Sequence, residues 1–199
     1  MTHENREGWL HAGINALRPH FGQAGYTVPD NVRVTCGWPS TGALAKKNRR
    51  IGECWSDTAS DGKVFEIFIT PALADPVRVL DILTHELVHA TVGLAAKHGK
   101  LFKRCATAVG LEGKMRATVA GEALSKTLGG IARDLDAYPH QELKHMTTGQ
   151  AKQGTRLIKA ECGCCGYTVR VTRKWVDRDG APLCPRESCD HYREPLAIG

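Results

Sequence analysis

The segment HELVHATVGLAAKHGKLF, residues 85–102, sets His85, Glu86, His89 and His98 inside an otherwise apolar run. Burying such groups unpaired costs roughly 1–3 kcal/mol each, so the pattern needs a partner. On an α-helix, residues four apart share a face with Cβ atoms about 5–6 Å apart, which lets His85 and His89 chelate one ion. Glu86 stands about 100° further round and reaches past the ion to a bound water. A zinc ion with three protein ligands keeps a fourth position for water and lowers its pKa to about 7. A nearby carboxylate then takes the proton as hydroxide attacks a carbonyl. His98 is the third ligand that this chemistry asks for. Gly93, Ala95 and Ala96 let the helix end, and Gly99 eases a turn back. Glu112 and Glu122 stand in reserve for that role. The metzincin pattern is excluded, because the positions where it has glycine and histidine are Val92 and Ala95 here.

A second constellation lies at the other end of the chain. Five of the eight cysteines, Cys162, Cys164, Cys165, Cys184 and Cys189, fall in the last 38 residues. In a reducing compartment such clustering points to metal, not to disulfides. Cys162 and Cys165 have knuckle spacing, 18 residues separate Cys165 from Cys184, and Cys189 follows after four more. Four thiolates close a structural zinc site with no open position. Cys164 is then spare, and His191 is the alternative to Cys189. Cys36, Cys54 and Cys105 are scattered and read as small buried hydrophobes.

These groups need elements to hold them. Trp9, Ile14, Leu17 and Phe21 have near-helical spacing and predict a helix over 5–21, disturbed at Pro19 and Gly22. Strands are predicted over 31–38, 49–55 and 63–70, the last being KVFEIFIT. The Asp75-Pro76 start predicts a capped helix over 75–96 that carries the histidines. Further helices are expected over 101–111 and 120–138, then a polar linker over 139–156 and short strands from Leu157 onward. Tyr138, His140 and His145 read as ordinary surface residues. The expectation is an α+β protein: a metal-bearing domain at 1–115, a helical and polar connector at 116–156, and a zinc ribbon at 157–199.

With 42% hydrophobic and 24% charged residues, the chain is ordinary for a globular protein. No apolar run approaches the roughly 20 residues of a membrane helix. The first residues lack the pattern of a secretory signal, so a cytoplasmic location is expected. The formal net charge is +6. It concentrates in KKNRR at 46–50 and in seven Lys or Arg between Lys152 and Arg178, against Glu161 and Asp177. Such faces suit phosphate contact, and Arg170, Arg173 and Lys174 on the expected ribbon hairpin are the candidate nucleic-acid contacts, with Tyr167 and Trp175 beside them.

HELVHA followed by HGKLF resembles the SprT-like metalloproteases, a family that includes a DNA-dependent protease of DNA–protein crosslinks. The resemblance covers roughly 5–115 and, more loosely, the cysteine-rich tail. It implies a zincin-like unit, zinc on His85, His89 and His98, Glu86 as catalytic acid/base, and Phe102 packing behind the histidine loop. It also implies a sheet edge, expected at KVFEIFIT, that receives a substrate peptide as an added strand. The expected function is zinc-dependent peptide hydrolysis with a protein substrate and DNA as a candidate partner. One rival is a non-catalytic DNA-associated zinc-binding protein. Another is a zinc hydrolase acting on something other than a peptide.

Overall fold

The computed structural model describes residues 3–45, 47–144 and 157–199. They divide into two units, Met1–His145 and Met146–Gly199. The chain is mixed α+β in both.

In the first unit, helix α1 (Arg6–Gln23) starts where Asn5 accepts the Gly8 N–H at 2.8 Å. Trp9, Leu10, Ile14, Leu17 and Phe21 are buried along one face. Pro19 does not end the helix. The buried Phe21 and a bond from His20 Nε2 to the Val109 carbonyl at 2.9 Å anchor its last turn.

Strands β1 (Val32–Cys36), β2 (Gly52–Trp55) and β3 (Phe65–Ile69) form one sheet in the order β1-β3-β2. β1 runs parallel to β3 and β2 antiparallel to it. The strand expected at the edge, KVFEIFIT, is therefore central, and β2 holds an open edge instead. In β3, the alternation of buried Ile67 and Ile69 with Glu66 and Phe68 gives the sheet a core face and an outer face.

Helix α2 (Pro76–Val92) opens as the sequence predicts: Asp75 caps it by accepting the Arg78 N–H at 2.7 Å, with proline in the first turn. Val79, Leu80, Leu83, Leu87 and Val88 bury it in the core. It stops at Val92 because Gly93 turns to φ 79°. A short 3-10 turn (Leu94–Ala96) follows and leads to helix α3 (Lys100–Ala108), shorter than the expected 101–111.

The expected boundary at residue 115 falls inside a hairpin. β4 (Leu111–Lys114) pairs with β5 (Ala117–Ala120), and helix α4 (Glu122–Asp134) packs on α2. Residues 116–144 thus belong with the first unit. Part of the expected linker docks there too. Leu143 N–H donates to the Pro71 carbonyl at 2.9 Å, His140 Nε2 reaches it at 2.7 Å, and Tyr138 is buried against Trp9. Tyr138 is a core residue, not a surface one. His145 and the rest of that linker lie outside the described residues. Cys105 is buried, and Cys36 and Cys54 are partly buried against the same core.

In the second unit, β6 (Leu157–Glu161) pairs antiparallel with β7 (Thr168–Thr172) and with β8 (Ala197–Ile198). Helix α5 (Arg173–Asp179) follows β7 directly, where the sequence predicts continued strand. Ala160, Leu196 and three cysteines form its small buried cluster. No helix among the described residues is long and apolar enough to cross a membrane.

Candidate metal centres

His85 and His89 project from one side of α2, and His98 returns to them after the glycine turn. Their ligand nitrogens lie within 4.8 Å of one another, and Nε2 of His89 and His98 are 3.2 Å apart. Tetrahedral coordination at about 2.0–2.1 Å would separate two nitrogens by roughly 3.4 Å, so the set fits a zinc-like ion. Phe102 packs against all three rings, with centroids 4.4–5.0 Å away. Burial, reinforced by the neighbouring rings, pushes His85 down to about 4 and His89 to about 3. Both are therefore neutral near pH 7, the form that ligates metal.

His85 Nδ1 lies 2.7 Å from Thr118 Oγ1. Ligation through Nε2 leaves a proton on Nδ1 to donate to that hydroxyl, which fixes tautomer and ring orientation. Thr118 sits on β5, and no local sequence signal links it to the histidines. Glu112 and Glu122 are not among the converging groups: Glu112 lies beside Gly121, and Glu122 pairs with Lys126.

Glu86 is 6% exposed. Burial, then the charge of Glu53, pushes its carboxyl up to about 8, while Arg50 opposes the shift. A cation on the adjacent histidines would draw it back to the ionised form. Gly52 on β2 lies directly against it. A Cβ there would come within 2.4 Å of Glu86 Oε1 and 2.6 Å of Ile82 Cγ2.

The open strand has a defined register. Thr70 N–H donates to the Ile51 carbonyl at 3.0 Å, so Ile51, Glu53 and Trp55 are the residues that bond toward β3. The main-chain groups of Gly52 and Cys54 then point to the open edge, beside Glu86.

The four cysteines of the second unit also converge. Cys162 and Cys189 sulfurs are 3.8 Å apart, Cys165 and Cys184 3.7 Å, and all four lie within 4.8 Å. A tetrahedron with bonds of about 2.3 Å has edges near 3.8 Å, whereas a disulfide would bring sulfurs to about 2.05 Å. The backbone N–H groups of Cys165 and Cys164 lower Cys162 to about 6, and burial raises Cys189. His191, the alternative to Cys189, is not among the converging groups. Its N–H donates to Cys189 Sγ at 3.4 Å and its ring lies 3.7 Å from Glu194. Cys164 is exposed, with Sγ 4.0 Å from Asp190.

The three candidate nucleic-acid contacts do not share one strand. Arg170 lies on β7 opposite Lys159, while Arg173 and Lys174 open α5. Sequence spacing does not single out Arg178, whose guanidinium stacks 4.0 Å over the exposed Trp175 ring, with Lys174 Nζ at 5.5 Å.

Comparison with family models, with curated proteins and with solved structures gives no match to this chain.

Proposed function

We propose that the chain is a metal-dependent peptidase of SprT-like type. The observation that carries this reading is a buried carboxylate, Glu86, next to three converging histidines and against an open strand edge. A closed structural site has no use for that carboxylate and would fill its fourth position with protein. A zinc ion bound there supplies Lewis acidity and acidifies water. Glu86 accepts the proton of the attacking water on its carboxylate and hands it to the departing amide nitrogen. Gly52 and Cys54 offer main-chain donors and acceptors that align an extended peptide, which favours a peptide over other hydrolysable substrates. Thr118 holds His85 in one tautomer throughout.

The test is Glu86→Gln, which keeps the shape and removes the base. Hydrolysis of an unfolded protein substrate should fall roughly 10²–10⁴-fold with metal content unchanged. Hydrolysis at the unmodified rate would refute the assignment.

The second unit reads as a metal-closed ribbon that contacts nucleic acid. The exposed Trp175, flanked by Lys174 and Arg178, supports this, since an aromatic face ringed by cations suits bases and phosphates together.

A further inference from the structure

We infer that Asp81, one helical turn before His85, is a positioning residue of the histidine centre: its carboxylate holds the open edge of β5 against α2 and so keeps the Thr118 hydroxyl on His85 Nδ1. The inference rests on the reading of the three histidines as a metal centre, and not on what is hydrolysed there. The hairpin that brings Thr118 to His85 needs such a hold. Its strands have four residues each, and an isolated two-stranded hairpin is marginally stable at best. Within β5 only Thr118 is buried, so no large apolar side chain of that strand anchors it to α2.

The register supplies the polar groups that replace that anchor. Gly121 N–H donates to the Gly110 carbonyl at 2.9 Å, and Leu111 pairs with Ala120 next to it. In an antiparallel ladder bonded and non-bonded pairs alternate, so Ala120 and Thr118 turn their main-chain groups away from β4. Ala120 is then gripped from two helices. Its carbonyl accepts the Ser125 hydroxyl of α4 at 3.2 Å, and its N–H faces the Asp81 carboxylate of α2. Asp81 is 6% exposed. Arg78 pairs with its Oδ2, while Oδ1 is buried with no side-chain partner. Burial pushes the Asp81 carboxyl up from its ordinary value, and Arg78 and the Ala120 N–H draw it back. The contacts of Asp81 with Ala120 and of His85 with Thr118 form two rungs of matching spacing. Four residues rise about 6 Å along a helix, and two residues rise about 6.8 Å along a strand. With the first rung removed, β5 can slide along α2 and take the Thr118 hydroxyl away from its 2.7 Å contact with the imidazole.

The test uses the full chain with isotope-labelled histidine and two readouts: the Nδ1–H resonance of His85 by NMR, with and without zinc, and zinc affinity by chelator competition. Asp81→Leu is near-isosteric and cannot accept a hydrogen bond. It should abolish the slowly exchanging Nδ1–H signal and weaken the histidine centre roughly 10- to 100-fold, with the cysteine centre unchanged. Asp81→Asn keeps an acceptor for the Ala120 N–H and should retain the signal and most of the affinity. On a Thr118→Val background Asp81→Leu should cost no more than about twofold, because the two residues act through one contact. The inference is overturned if Asp81→Leu keeps both signal and affinity, if Asp81→Asn loses as much as Asp81→Leu, or if the loss repeats in full on Thr118→Val. Should Asp81→Leu not fold, Asp81→Ala is read in its place against the same outcomes. A parent chain that takes up no zinc at the histidines would defeat the metal reading alone, since the Nδ1–H signal of the metal-free protein still decides whether Asp81 holds Thr118 in place.

Discussion

Gly52 and Glu86 touch: a Cβ on the edge strand would stand 2.4 Å from the carboxylate oxygen. Only hydrogen at that position lets the candidate base lie under the strand proposed to align the substrate. Gly52→Ala must displace the carboxylate or Ile82. A misplacement of about 1 Å costs on the order of 10²-fold in rate. Peptidase activity should fall by that order while metal content stays at the parent value, and steady-state assays beside metal analysis check both.

The raised Glu86 carboxyl makes the metal-free protein sensitive to pH. Its folded value of about 8 lies above the ordinary 4.5, so the folded state holds the proton longer than the unfolded chain. The stability this confers is complete below pH 4.5 and is lost as pH rises to about 8. Glu86→Gln mimics the neutral form and escapes the loss. Denaturant titrations of metal-free protein should show the variant gaining on the parent across that window and then holding a constant lead. A pH-independent difference would contradict the buried carboxyl.

His98→Ala should empty the histidine centre and leave the cysteine centre loaded. Three converging imidazoles become two, and neither Glu112 nor Glu122 lies among the converging groups. Metal analysis should therefore lose one equivalent per chain. Full retention would require a ligand from elsewhere.

Thr118→Val tests the support behind His85. Removing the 2.7 Å partner of Nδ1 frees the ring to rotate and change tautomer. Losses of this kind typically cost 10–100-fold in metal affinity. Chelator competition should report a drop of that size, and Thr118→Ser should restore most of it.

Neighbours in sequence decide what the sequence makes legible. His85, Glu86 and His89 lie within little more than one helical turn, and glycines mark the return to His98, so their convergence can be read from spacing. Cys162, Cys165, Cys184 and Cys189 declare themselves likewise by cysteine arithmetic. Relationships between distant segments are not legible in this way. KVFEIFIT is the most strand-like stretch because both its neighbours pair with it, which makes it central and leaves β2 as an edge. Thr118 meets His85 only because a hairpin folds back after α3. Residues 116–144 resemble a connector because glycines weaken α4 locally, whereas Leu124 and Leu128 bury it in the core.

Arg170, Arg173 and Lys174 can be separated from the stacking group beside them. Arg170 stands on β7, and Arg173 and Lys174 begin the short helix whose Trp175 carries Arg178 on its face. None of the three is among the four converging sulfurs or bonds to them, so replacing all three with alanine should leave that metal in place. If they bind phosphates, oligonucleotide affinity should fall for every sequence alike, because phosphate contacts carry no base information. Each phosphate left without its cation should also reduce the salt slope by about 0.7 on a single strand, or 0.9 on a duplex. Trp175 and Arg178 remain in this variant, so stacking should persist and residual binding should be less sensitive to salt. Fluorescence titrations over a salt series measure both quantities. A slope equal to that of the unmodified protein would remove these residues from the interface.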